Sequence, residues 1–228
     1  MPSALVRRGA PLVGQVVPGG PPDPLLALER YGPLADAYDT ATASGAPYRR
    51  QTVEALALLP GETVLEVGCG TGLNFASIEL CIGSGGRLIG VDPSPEMLER
   101  AGARVREHGW QNVLLFQATA QDARLPAPAD AALLCGVHDV LRSPTALANV
   151  LRHVRAGGRI VAGGPKWAPW RQPGSIAVNL ATWIMNRDYV TTFEGFDRPW
   201  SNLAAMVPDL HVEAISFGTG YIAHGTRP

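Results

Sequence analysis

Val64-Leu65-Glu66-Val67-Gly68-Cys69-Gly70-Thr71-Gly72 decides the fold. A short apolar run gives way to three glycines at alternate positions, and a helical run from Leu73 to Cys81 follows. That reads as buried strand, tight turn and helix, the first unit of a parallel sheet. Glycines at such a turn let the backbone approach a ligand closely. Their spacing discriminates among ligands. A dinucleotide fingerprint needs Gly-x-Gly-x-x-Gly, but Leu73 holds the position of its third glycine. No Gly-Lys-Ser/Thr follows, which excludes a nucleotide phosphate loop.

Working outward, Arg87 to Val91 is the next strand, and it ends in Gly90-Val91-Asp92. Asp92 lies 20 positions beyond Gly72, where a carboxylate can accept both hydroxyls of a ribose. An adenosine ligand without a pyrophosphate fits the turn and the acid together. Ser94-Pro95-Glu96 opens a helix to Glu107, with serine as N-cap and proline at the first helical position. Further strands fall at Asn112 to Phe116, Ala131 to Cys135 and Arg159 to Ala162, and a helix from Ser143 to Arg155 precedes the last of them. Strands separated by helices imply a parallel sheet with right-handed crossovers and helices on both faces.

The flanks read differently. Upstream, Leu25 to Arg30 is a short helix broken by Tyr31-Gly32-Pro33, and a second helix spans Pro47 to Leu59. Downstream, Ile176 to Asn186 and Trp200 to Met206 are helical, and His211 to Ser216 with Gly220 to His224 forms a closing antiparallel hairpin. The expected architecture is α/β, a three-layer sandwich on a seven-stranded, mostly parallel sheet. Residues 1–24 read as an arm, and 25–228 as one domain with an aromatic-rich insertion at about 166–200.

Composition narrows the function. The 228 residues are 46% hydrophobic and 17% charged, enough for a full core. With 19 basic and 20 acidic residues the net charge is −1, so composition gives no support to a nucleic-acid or anionic-membrane partner. No apolar run reaches the ~18 residues of a membrane helix, and the N-terminal stretch does not read as a signal peptide. Cys69, Cys81 and Cys135 are odd in number and form no CxxC pair, which argues for a reducing, cytoplasmic setting and against a metal site.

Glu66-Val67-Gly68-Cys69-Gly70-Thr71-Gly72, followed by Gly90-Val91-Asp92-Pro93-Ser94-Pro95-Glu96-Met97-Leu98, resembles the class I S-adenosylmethionine-dependent methyltransferases. The likeness extends to Tyr31…Ala35-Asp36-Ala37-Tyr38-Asp39 upstream and Arg155-Ala156-Gly157-Gly158-Arg159 downstream, so it covers residues 31 to 163. It implies a Rossmann-like sheet, S-adenosylmethionine as cofactor and S-adenosylhomocysteine as product. It implies too that Gly68, Gly70 and Gly72, with Cys69 between them, line the methionine and ribose part. Glu66 then meets the methionine ammonium and Asp92 the ribose, while Pro93 and Met97 border the adenine. Tyr38 and Gly136 complete the expected cofactor wall. Relatives carry an Asp-Ala pair after the third strand, but here Thr119 holds the acidic position. Ala120 can still offer a backbone N–H, and Asp122 can substitute from a shifted loop.

The sulfonium makes the methyl carbon electrophilic, so positioning is the protein's main task. A hydroxyl acceptor calls for a general base; an amine or thiolate needs less. His138, with Asp139 orienting it, is the candidate base at the end of the fourth strand; its alternative is a packed wall residue. For the acceptor, Tyr31, Trp167, Tyr189, Phe193 and Trp200 are the candidate contacts, because four of the five tryptophans crowd the insertion. The expected activity is methyl transfer to an O, N or C atom of a small molecule, with no nucleic acid, no stable membrane insertion, and a homodimer allowed. Alternatives are a cofactor-binding cyclase or regulator, and a lipid-headgroup N-methyltransferase. A nicotinamide oxidoreductase is disfavoured by the misplaced third glycine.

Overall fold

Alternation of side chains across one sheet builds the molecule. In the computed structural model, which describes residues 22–126 and 128–228, β1 (Thr63–Val67), β2 (Arg87–Asp92), β3 (Val113–Gln117) and β4 (Ala129–Cys135) run parallel with β5 (Val154–Pro165). β6 (His211–Ile215) and β7 (Gly220–Thr226) close the sheet antiparallel, giving the order β3-β2-β1-β4-β5-β7-β6. Strand order reverses between β1 and β4, so the ligand crevice lies outside the carboxyl ends of those strands. The seven-stranded mixed sheet and its terminal hairpin agree with the expected fold.

Successive strand residues serve opposite layers. Leu65, Ile89, Leu134 and Ile160 face one core with Leu147 and Val150 of α7 (Pro144–Arg152) and Leu203 of α9 (Ser201–Met206). Val64, Leu88, Leu133 and Val161 face the other, with Val53 of α3 (Ala46–Glu54) and Phe75, Ile78 and Ile82 of α4 (Phe75–Ile82). α5 (Pro95–His108) starts where Ser94 accepts the N–H of Met97 at 3.2 Å and stops at Gly109 in the left-handed region. Both ends follow ordinary capping chemistry.

Three boundaries depart from the sequence reading. α1 (Pro24–Leu34) continues through Tyr31-Gly32-Pro33 instead of breaking there. Pro33 sits in the last turn, and the helix is held from outside: Arg30 donates to the Val190 carbonyl at 2.5 Å and the Tyr31 hydroxyl to that of Tyr189 at 2.6 Å. α3 ends at Glu54, not Leu59, because the buried Leu56 is pinned through its carbonyl by Arg159 at 2.7 Å and Ala57 turns to φ 47°. β5 begins at Val154, so the segment assigned to the end of a helix is extended.

The arm expected over 1–24 lies outside the described residues as far as position 21; Pro22 already lines a cavity, and α1 starts at Pro24. α2 (Tyr38–Ala41) and α6 (His138–Leu141) are single turns at the crevice. The aromatic-rich stretch holds α8 (Ser175–Asn186) between two irregular segments. Among the described residues, no helix is long and apolar enough to cross a membrane.

Candidate cofactor and acceptor site

The glycine turn is bound to β2 through its backbone. Gly68 and Cys69 both donate to the Val91 carbonyl, at 2.7 and 3.1 Å, and Gly70 donates to the Asp92 carboxylate at 2.8 Å. The other Asp92 oxygen accepts the N–H of Ser94 at 2.9 Å. Burial raises the Asp92 pKa, and these two N–H groups oppose it. Gly68 and Gly70 take φ 65° and 53°, where L side chains are strained. Their surroundings differ. A Cβ on Gly68 would stand 2.4 Å from Val137, whereas one on Gly70 would meet nothing within 4 Å. The first glycine serves packing; the second leaves space at the crevice.

Behind the turn, Asp39 accepts from the Thr71 hydroxyl at 2.5 Å and from Arg104 of α5 at 2.6 Å, and Arg104 also donates to the Thr71 carbonyl at 3.0 Å. This three-residue clamp joins α2, the turn and α5. Glu66 is buried on β1. Asn74 donates to its Oε1 at 2.7 Å, while Oε2 has no hydrogen-bond partner. Burial pushes Glu66 up to about 8; the Asn74 amide opposes the shift, and the Asp92 charge adds to it. A half-satisfied buried carboxylate is costly unless a cation completes it.

Three cavities run along this edge of the sheet. One of 340 Å³ is walled by Gly68, Pro93, Thr119, Ala120, Gln121 and Asp139. A central one of 130 Å³ shares Gly68, Pro93 and Asp139 with it and adds Gly70, Asp92 and Met97. A third, of 320 Å³, shares Tyr31, Tyr38, Gly136, His138 and Tyr189 with the centre and adds Tyr48 and Arg49. The Tyr48 hydroxyl is buried without a partner.

Most predicted cofactor residues meet here: Tyr38, Gly68, Gly70, Asp92, Pro93, Met97, Thr119, Ala120 and Gly136 all border these cavities. Glu66, Cys69 and Gly72 stand behind that surface. Thr119 donates to Asp122 at 2.6 Å, so the threonine carries the carboxylate on its hydroxyl instead of replacing it. Tyr38 makes edge contacts with Tyr31 and Tyr189, and all three line the third cavity.

The expected catalytic pair is not a pair. Asp139 accepts from the Thr191 hydroxyl at 2.8 Å and its N–H at 3.2 Å, so it anchors the segment after α8 and does not orient His138. His138 donates from Nε2 to the Glu194 carbonyl at 3.1 Å and packs edge-on against Phe196. Its Nδ1 is buried and unpartnered. Burial lowers this histidine to about 4, so the ring is neutral at neutral pH.

Three expected acceptor residues also lie elsewhere. Trp167 and Phe193 stack on each other and meet Phe196 at tilted and edge-on angles, and Trp200 packs on Tyr221 at 4.8 Å. None of the three borders the three cavities described. Sequence reading missed Arg49, Asn74, Arg104 and Thr191; only Asp39 carried a signal, as the last residue of the Ala35 to Asp39 run.

These residues fit an adenosyl group with an amino-acid end. Glu66 has a free buried oxygen for an ammonium, Arg49 is a cation on the neighbouring cavity wall, Gly70 leaves room, and Asp92 keeps acceptor capacity at the end of β2.

Residues 64–158 match the family model described as a methyltransferase domain. Aklanonic acid methyltransferase from a Streptomyces species is 31% identical over 122 residues, covering 52% of this chain and 55% of that protein. Nocamycin O-methyltransferase from Saccharothrix syringae is 29% identical over 143 residues, covering 58% and 48%. The chain spans about half the length of the curated relatives it matches. The N-methyltransferase NodS from Bradyrhizobium japonicum has a similar structure, with a TM-score of 0.58 at 16% identity over 80% of this chain and 95% of that one. At that identity the likeness is one of fold. Glycine turn, acidic strand end, strand order and family match converge: residues 64–158 form a methyltransferase domain similar to those of the class I S-adenosylmethionine-dependent methyltransferases, whose cofactor is S-adenosylmethionine.

Proposed function

We propose that the protein transfers a methyl group from S-adenosylmethionine to a small-molecule acceptor and releases S-adenosylhomocysteine. The observation that carries this reading is the buried Glu66 carboxylate with one unsatisfied oxygen, next to a glycine turn that leaves space at Gly70 and is tied to Asp92. Relatives named for aklanonic acid and nocamycin support an acceptor of small size. A net charge of −1 supports the same and gives a polyanion no foothold. Residues 25–228 then act as one methyltransferase domain, with 166–200 as its insertion.

When bound, the cofactor supplies an electrophilic methyl group on a sulfonium. The chain does the positioning. Glu66 and Arg49 hold the two charges of the amino-acid end, Asp92 the ribose hydroxyls, and the Thr119–Gln121 backbone with Pro93 and Met97 the base. Tyr31, Tyr38 and Tyr189 form the wall between the central cavity and the 320 Å³ cavity, which takes the acceptor. His138 contributes as a neutral wall residue. A group with a pKa of about 4 is a weak base at neutral pH, so the acceptor must ionise or present a lone pair largely by its own chemistry.

The test is product analysis. The protein is incubated with S-adenosylmethionine and a panel of phenolic, carboxylic, amine and enolic acceptors, with S-adenosylhomocysteine quantified by mass spectrometry. Acceptor-dependent S-adenosylhomocysteine together with a product 14 mass units heavier than its acceptor is expected. Cofactor-dependent rearrangement with no methylated product would instead assign the fold to a cyclase.

A further inference from the structure

α8 is amphipathic in the wrong sense for a helix facing water. Ser175, Asn179 and Thr182 are its buried residues, and Asn179 bonds both the N–H and the carbonyl of Ala168, at 2.8 and 3.1 Å. Its solvent stripe is Ile176, Leu180 and Ile184, spaced four apart and 77%, 56% and 51% exposed, with Met185 exposed beside them. No residue from Ser175 to Asn186 carries a formal charge.

Two aromatic side chains extend the face. Trp170 is exposed just before α8, and Phe217 is 99% exposed on the β6–β7 turn. Ser216 and Phe217 both adopt left-handed backbone, φ 51° and 55°, a conformation that costs L side chains energy. A turn held at that cost, with a phenylalanine fully in solvent, presents the ring outward. The turn also touches the approach to α8, since a Cβ on Gly218 would meet Pro169 at 3.1 Å.

The same two elements frame the acceptor cavity. Met185 and Asn186 of α8 line it on one side, and Ser216, Thr219 and Gly220 on the other. The apolar face and the cavity wall are therefore continuous. A second protein copy seated on this face would stand over the mouth, whereas a lipid phase there would deliver an apolar molecule into it. Arg171 and Arg187 flank the face at its two ends, and a tryptophan at the rim suits the headgroup level. The helix has 12 residues, which suits lying in an interface and not spanning it.

We propose that α8, Trp170 and Phe217 seat the protein on a lipid bilayer surface and that the acceptor is an apolar molecule drawn from that bilayer into the cavity beside Met185. The acceptor assignment rests on the methyltransferase reading; the docking does not.

The full chain is centrifuged with vesicles of phosphatidylcholine and phosphatidylglycerol, and, in parallel, its melting temperature is followed with S-adenosylhomocysteine. Wild type is expected in the vesicle pellet. Leu180→Glu and, independently, Phe217→Ser are expected to reduce the vesicle partition coefficient about tenfold, with the melting shift kept, because membrane binding scales with inserted apolar area. Phe217 touches too little for its loss to unfold the chain. Wild type left in the supernatant with a normal melting shift overturns the docking and spares the methyltransferase reading. Vesicle binding without any melting shift does the reverse. A dimer in lipid-free sedimentation that Leu180→Glu dissociates would assign the face to a second copy and overturn the proposal.

Discussion

The Asp92 carboxylate accepts the Gly70 N–H at 2.8 Å, so the acid at the end of β2 fixes the turn after β1 at the same time as it faces the crevice. One group thus couples local stability to ligand binding. Asp92→Asn places an amide N–H against one of two backbone N–H groups, Gly70 or Ser94. Losing a charge-assisted bond costs about 2 kcal/mol, or about 5 °C in a chain of this size. Calorimetric melting of the ligand-free variant should show that drop, and titration with S-adenosylhomocysteine should show affinity weakened at least about tenfold.

Gly68 and Gly70 separate packing from ligand approach. Gly68→Ala drives a methyl into Val137, whose side chain would lie 2.4 Å away, and adds left-handed strain; about 3 kcal/mol of destabilisation is expected. Gly70→Ala meets open space and should cost about 1 kcal/mol, yet put its methyl where the ligand comes in. Melting curves with and without S-adenosylhomocysteine distinguish them. The first variant should melt far lower; the second should melt near wild type but respond little to ligand.

Glu66 makes both stability and binding depend on pH. Its carboxyl is raised from 4.5 to about 8 in the folded chain, so between those values the native state holds a proton that the unfolded state has lost. Its contribution to stability is present below about 4.5 and is lost as pH rises through 8. Glu66→Gln should therefore flatten that decline. A bound ammonium favours the ionised form, so cofactor binding should release a proton between about pH 5 and 8 and tighten as pH rises. Titration calorimetry in buffers of different ionisation enthalpy measures the proton, and Glu66→Gln should abolish its release.

His138 shifts the opposite way. Its folded pKa of about 4 lies below the ordinary 6.5, so its stabilising contribution is present above 6.5 and is lost as pH falls through 4. The stability difference between wild type and His138→Gln should narrow on acidification across that window. With the ring acting as a wall and not as a base, turnover at pH 7 should fall less than about tenfold in this variant, whereas a loss of about a thousandfold would restore the base assignment.

Much of the fold was legible because β1, β2 and β4 are short buried runs punctuated by glycine, and because Ser94-Pro95 and Ser143-Pro144 announce helices by capping chemistry. The cofactor half of the site was legible for a related reason: Gly68 to Gly72 and Asp92 sit at strand ends, whose position the sheet imposes. What stayed hidden depends on packing between distant segments. Asp39 meets Arg104 across 65 positions and Asp139 meets Thr191 across 52, distances at which sequence spacing carries no geometric information. The aromatic concentration misled for the same reason. Trp167, Phe193 and Trp200 share a segment with Tyr189, but Tyr189 alone of these four turns to the cavity; Trp200 completes the core against Tyr221. The exposed stripe of α8, Ile176, Leu180 and Ile184, has the spacing of an ordinary core face, and periodicity alone does not tell which side of a helix meets water.

The most direct measurement is the melting temperature of the full chain at saturating S-adenosylhomocysteine, with NAD as control. At about a hundred times the dissociation constant the ligand adds ~2.7 kcal/mol, on the order of 5–10 °C here. A rise of that size with S-adenosylhomocysteine and none with NAD is predicted. A folded protein that melts unchanged with S-adenosylhomocysteine would contradict the assignment of the Glu66, Gly70 and Asp92 site to that cofactor.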